Sequence, residues 1–175
     1  VDDTTIIVEV WCQPIALFST DTVCEGFPTT FTNQSTNGSG TIINWNWDFG
    51  DGIGTSTLQN PTYTYSQCGT YSVKLTVTDD NGCVDDTTII VEVWCEPTAS
   101  FSSDTVCEGD YTSFTDSSTD GTYPITSWNW THSGGIYIAP TNSTSTNPLY
   151  EYDSCGPNYL TTLIVIDDYG CTDTT

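Results

Sequence analysis

The chain has 175 residues and a formal charge of −22, with 23 acids set against a single lysine or arginine. A surface of that sign argues against nucleic acid and anionic membrane as partners. No apolar run is long enough to insert in a bilayer. Eight cysteines without any C-x-x-C pair point to disulfides rather than zinc, and hence to an oxidising, extracellular compartment.

The segment VDDTTIIVEVWC occurs at residues 1–12 and again, letter for letter, at 84–95. Laying residue n on n+83 brings Trp11 onto Trp94, Cys12 onto Cys95, Phe18 onto Phe101, Cys24 onto Cys107 and Phe31 onto Phe114. Trp45 and Trp47 then meet Trp128 and Trp130. Two small insertions later, Asn60–Tyr65 (NPTYTY) meets NPLYEY, Cys68 meets Cys155, and DDNGC at 79–83 meets DDYGC at 167–171. The expected organisation is a last strand of a preceding repeat at 1–11, a first domain at 12–94 and a second at 95–175.

Along one repeat the apolar residues alternate with period two, the mark of half-buried strands. PIALFS places Ala16 and Phe18 on one face, and TTFTNQS carries Phe31. IINWNWDF sets Ile43, Trp45, Trp47 and Phe49 against Asn44, Asn46 and Asp48. PTYTYS alternates Tyr63 and Tyr65 with threonine. TYSVKLTVTD points Tyr71, Val73, Leu75 and Val77 inward and leaves Lys74, the one cation, outside. DNG is a hairpin turn, and TTIIVEV is the last strand. About seven strands separated by turn signals make an all-β, antiparallel sandwich.

The order WDFGDG (47–52), NPTYTY, GTYSVKLTV resembles the PKD domain, an immunoglobulin-like sandwich. The resemblance implies two tandem immunoglobulin-like domains of PKD type. The second repeat replaces WDFGDG with WTHSGG (130–135), keeping the tryptophan and losing both carboxylates. With strands lettered A to G, the A–B and E–F turns share one end of such a sandwich, and the F–G turn shares the other with the start of strand A. That topology predicts the disulfides Cys12–Cys83, Cys24–Cys68, Cys95–Cys171 and Cys107–Cys155. A Cys12–Cys24 pair would have to span an extended strand of about 30–40 Å, against a Cα separation of about 7 Å in a disulfide.

No catalytic constellation emerges, and the chain reads as a non-enzyme. Asp48 and Asp51 share one turn, which suits turn fixation better than paired-acid chemistry across a cleft. His132 is the sole histidine and lies in the altered turn, so the sequence places it in an exposed loop. Asp79, Asp80, Asp85 and Asp86 crowd near one end of the first domain as candidate calcium ligands, calcium being the one cofactor considered. Solvated turn carboxylates are the competing reading. Thr22 and Thr105, in the repeated DTV, resemble the O-glycosylation motif of Bacteroidota; a simple Asp-Thr turn competes.

PKD-like repeats with bridges and GC-T-D-T-T endings are similar to the very large repetitive surface proteins of Bacteroidota, gliding-motility adhesins among them. That resemblance implies a rigid extracellular filament or stalk for attachment or gliding, with neighbouring repeats or copies and surface polysaccharide as partners. The alternative is a polymer-binding accessory module of a secreted hydrolase, with Trp11 and Trp94 as candidate contacts. The second domain is expected to stop after its strand F and to lack its final strand, so the chain reads as an excerpt of a longer array. Val1–Val10 is then expected to lie extended, with few contacts to its own domains.

Overall fold

In the computed structural model of the chain, residues 5–156 and 159–175 are described; the first four residues of the opening segment lie outside them. The chain divides into two units, Val1–Val93 and Trp94–Thr175. All described regular structure is β, and every pairing is antiparallel.

In the first unit, β1 (Phe18–Thr20), β2 (Pro28–Asn33) and β5 (Thr62–Thr64) form one sheet in the order β1-β2-β5. The second sheet is β4-β3-β6-β7, from β3 (Ile42–Asp48), β4 (Thr55–Ser56), β6 (Gly69–Asp79) and β7 (Val84–Val93). The core holds Phe18, Phe31, Trp47, Phe49, Leu75 and Val91. Its density of rings follows from the alternation in β3 and β6, which sends every second side chain inward. Trp47 lies edge-on to Phe18 at 5.0 Å, and its indole N–H donates to the Leu58 carbonyl at 2.9 Å. The buried polar end of the ring is thus satisfied.

The alternation of β3 fails at one place. Ile43, expected inside, is 63% exposed, while Ile42 is 8% exposed. The β3–β6 register shifts between Ile42 and Asn44. This bulge inserts one residue and turns the start of the strand over.

The second unit repeats the plan with two changes. Its sheets are β11-β12-β9-β8 and β10-β13-β14, built from β8 (Phe101–Ser103), β9 (Thr112–Asp116), β10 (Ile125–His132), β11 (Ile136–Tyr137), β12 (Leu149–Glu151), β13 (Thr161–Asp167) and β14 (Thr172–Thr174). The short strand after the turn pairs with β3 in the first unit, as β4, but with β12 in the second, as β11. β14 covers only Ile164–Ile166 of β13, where β7 covers Gly69–Thr78 of β6.

Residues 5–10 belong to no strand, and Ile6, Ile7, Val8 and Val10 are all exposed. The sheet position in the first unit is taken by β7, whose sequence is the same.

Candidate functional site

The WDFGDG turn is a structural device. Gly50 has φ of +78°, and a Cβ there would come within 2.5 Å of the Ser72 carbonyl oxygen, so only glycine fits. Asp48 Oδ1 accepts the Gly50 N–H at 2.9 Å. Asp51 Oδ1 accepts from Ile53 and Gly54 at 3.0 and 2.7 Å, and its Oδ2 accepts the Tyr63 hydroxyl at 2.5 Å. Burial pushes the Asp51 carboxyl up, but the Tyr63 hydroxyl and the amides of Gly54 and Ile53 outweigh it and hold the pKa below the usual value. The same bond pushes the Tyr63 phenol up to about 12. Both carboxylates are occupied by their own loop, and neither faces the other across a cleft.

His132 corrects the sequence expectation of an exposed loop residue. It closes β10 and is partly buried, because at an offset of 83 it stands where the first repeat has the core residue Phe49. The imidazole packs against Phe114 at 4.7 Å and Tyr150 at 4.1 Å. Its Nδ1 lies 3.0 Å from Thr161 Oγ1, and its Nε2 is buried without a hydrogen-bond partner. Burial pushes its pKa down to about 4. The ring acts as an aromatic filler that stays neutral at ordinary pH.

The four acids suggested for calcium each have a partner within the first unit. Asp79 Oδ1 closes the β6–β7 hairpin by accepting from Asn81 and Cys83 at 3.0 and 2.8 Å. Asp80 Oδ1 accepts from Thr41 at 2.9 Å, and Asp85 Oδ2 accepts from Ala16 at 2.8 Å. Asp86 pairs with Lys74 at 3.2 Å on the solvent side. Successive strand residues face opposite ways, which alone separates Asp85 from Asp86. No group of three His, Cys, Asp or Glu suited to a metal occurs among the described residues. The second unit repeats the Asp79 and Asp85 bonds: Asp167 Oδ1 accepts from Tyr169 and Cys171, and Asp173 Oδ2 from Ala99. One carboxylate oxygen each of Asp79, Asp80, Asp85, Asp167 and Asp173 thus accepts hydrogen bonds within its own sandwich, while Asp79 Oδ2 and Asp167 Oδ2 are buried without a hydrogen-bond partner.

Asp21 and Asp104 do likewise, accepting from Thr30 and Ser113, each at 2.8 Å. Thr22 and Thr105 beside them are exposed. Cys24, Cys68, Cys95 and Cys171 are disulfide-bonded, whereas Cys12, Cys83, Cys107 and Cys155 are thiols. Four of the eight cysteines are thus bonded in this structure.

What remains as a candidate binding surface is aromatic. Trp94, half-buried, meets Tyr123 at 5.3 Å and Tyr169 at 4.6 Å, and the two tyrosines meet at 4.0 Å. Tyr169 is 57% exposed. In the first repeat Gly40 and Asn81 stand at the two tyrosine positions, and Trp11 is left 49% exposed. Sequence reasoning singled out both tryptophans and missed the tyrosines. The signal was the change from DDNGC to DDYGC.

In each unit, two antiparallel sheets around one buried tryptophan define the immunoglobulin-like class of β-sandwich. Residues 11–95 match the PKD domain family model. The chain is 45% identical over 69 residues to the pre-pro-metalloprotease PrtV of Vibrio cholerae, covering 39% of this chain and 7% of that protein. It is 52% identical over 44 residues to collagenase ColA of Bacillus cereus, covering 25% of this chain and 4% of that one. The solved PKD1 domain of Vibrio cholerae PrtV is 41% identical, with 46% of this chain and 96% of that domain covered and a TM-score of 0.42. The chain thus spans less than a tenth of the length of these curated relatives. No helix among the described residues is long and apolar enough to cross a membrane.

Proposed function

We propose that the chain is a non-catalytic accessory module of a secreted protein and that it holds a polymer through the surface formed by Trp94, Tyr123 and Tyr169. The observation that carries this reading is the exposed Tyr169 ring, braced by two further rings. A braced, flat ring offers a large contact area at little entropic cost, and sugar rings and imino-acid rings both stack on such faces. The names of the relatives, a metalloprotease and a collagenase, support an accessory role beside an extracellular hydrolase. Polysaccharide is the favoured polymer class, because the surface offers ring faces and no cation to grip an acidic chain.

The test is pelleting of the 175-residue chain with insoluble chitin, cellulose and fibrillar collagen. Binding to one polysaccharide is expected, with at least a tenfold loss in Tyr169→Ala and a retained far-ultraviolet circular dichroism spectrum. Collagen binding alone would overturn the polysaccharide class. Failure to pellet with any of the three, or undiminished pelleting of the variant, would overturn the surface.

The letter-for-letter recurrence of VDDTTIIVEVWC supports a second reading, a stalk or surface filament of many such repeats in attachment or gliding. Electron micrographs of the native protein showing a beaded rod would favour it; a single module beside a globular catalytic domain would remove it.

A further inference from the structure

The disulfides of the two units are complementary. The first unit has Cys24 and Cys68 bonded and Cys12 and Cys83 as thiols; the second has Cys95 and Cys171 bonded and Cys107 and Cys155 as thiols. In the repeat alignment Cys12 and Cys83 correspond to Cys95 and Cys171, and Cys107 and Cys155 to Cys24 and Cys68. Each bonded set in one repeat is therefore the thiol set of the other. We propose that both repeats share one framework of two bridges, and that Cys12 with Cys83, and Cys107 with Cys155, are oxidation sites that complete it.

The backbone around the first pair is already that of a bridge. Cys12 donates its N–H to Ser39 Oγ at 2.8 Å and accepts from the Ser39 N–H at 3.0 Å. Cys95, which is bonded, makes the same two contacts with Thr122, at 2.7 and 3.1 Å. At the other end Cys83 donates to Asp79 Oδ1 at 2.8 Å and accepts from the Asp79 N–H at 3.0 Å. The bonded Cys171 does the same with Asp167, at 2.9 and 3.0 Å. The two thiols are neighbours: burial, the Asp79 carboxylate and then the charge of Cys12 push the Cys83 thiol up.

The second pair shares a cleft. Cys107 and Cys155 both line a cavity of about 570 Å³ at one end of the second unit, together with Asp104, Tyr152 and Tyr159. Its first wall is the CEG turn, held by the Asp110 N–H on the Cys107 carbonyl at 3.0 Å. In the first unit the matching turn has the Phe27 N–H on the Cys24 carbonyl at 3.2 Å. There the two sides are drawn together, with Gly26 donating to the Tyr65 carbonyl at 3.0 Å and Cys68 to Glu25 Oε2 at 3.0 Å. The open cleft thus lies at the positions where the other repeat has the bonded Cys24 and Cys68, and a bond between Cys107 and Cys155 would cross it.

The oxidant is a small-molecule disulfide of the glutathione class. One cysteine thiolate attacks it, forms a mixed disulfide and releases one thiol. The second cysteine thiolate then displaces the other half as a second thiol. Each bridge takes two electrons from the protein and gives them to the small disulfide, and the two protons leave with the released thiols.

The experiment compares the chain before and after incubation with oxidised glutathione, scoring thiols by maleimide labelling under denaturing conditions and linkages by peptide mapping without reduction. The expected product carries no labelled cysteine, is lighter than the form with two bridges by two hydrogens per new bond, and yields linked peptides for Cys12–Cys83 and Cys107–Cys155. Cys83→Ser is expected to leave Cys12 as the one labelled site, and Cys155→Ser to leave Cys107. Persistent labelling of all four thiols in the wild-type chain would overturn the proposal, as would a map joining Cys12 to Cys107 or either to any other partner. The wild-type readout is taken on unfolded protein, so it does not depend on a variant folding.

Discussion

Val8 and Val91 occupy the same position of one decapeptide, yet Val8 is 78% exposed and Val91 is 2% exposed. Val91 lies in β7, paired with Tyr71 of β6, and its side chain enters the core beside Trp47 and Leu75. Identical letters thus adopt two states, because the local pattern permits a strand while a neighbouring edge decides whether one forms. Truncating Val91 to Ala is expected to cost about 1.5–3 kcal/mol, the worth of burying an aliphatic side chain. Truncating Val8 is expected to change stability by less than about 0.5 kcal/mol, as for exposed positions. Urea unfolding followed by circular dichroism checks both, and equal losses at the two sites would contradict the structure.

Asp51 is expected to matter through its own turn. Replacement by Ala removes the acceptor for the Ile53 and Gly54 amides and for the Tyr63 hydroxyl. The loss expected is about 1–3 kcal/mol, with faster amide hydrogen exchange confined to the turn. The second unit has Gly134 at the matching position and closes its turn differently, with the Tyr150 hydroxyl on the Gly134 carbonyl. Exchange rates at Ile53 and Gly54 unchanged in Asp51→Ala would refute this role.

Lys74 and Asp86 form an ion pair whose side chains are 48% and 50% exposed. Water screens such a pair, and exposed pairs are worth about 0–1 kcal/mol. Thr162 stands at the matching place in the second repeat. Lys74→Thr is therefore expected to leave the denaturation midpoint nearly unchanged, and to lose even that small effect at high salt. A large destabilisation would mean the lysine does more than cover its strand.

The class of fold was legible because inward residues recur at period two through β2, β6 and β7, and because the repeat doubles every such signal. Ile43 was not legible, since a bulge reverses facing without leaving a mark in the pattern. The roles of the acids were not legible for a different reason. A sequence shows carboxylates crowded together, but whether Asp85 reaches Ala16 or turns to a cation depends on which backbone amide the fold leaves open beside it. The aromatic surface was half visible. Trp94 stood out, whereas Tyr169 and Tyr123 come together only once the β13–β14 hairpin brings residue 169 beside the loop that precedes β10.

His132 supplies the pH dependence peculiar to this chain. Burial lowers its pKa from 6.5 to about 4 in the folded state. Above pH 6.5 the ring is neutral whether the chain is folded or not, so it contributes no pH dependence there. Between 6.5 and 4 the unfolded chain takes up a proton that the folded one refuses. Stability therefore falls as pH drops through that window and levels off below it. The chain also carries 23 acids, so the informative quantity is the difference between the wild type and His132→Phe, which restores the residue found at position 49. The variant is expected to be more resistant to urea than the wild type at pH 4.5, by a margin that shrinks towards pH 7. A margin that stays constant across the window would show that the ring titrates alike in the folded and unfolded chain, and that its burial among Phe114, Tyr150 and Trp130 does not exclude the charged form.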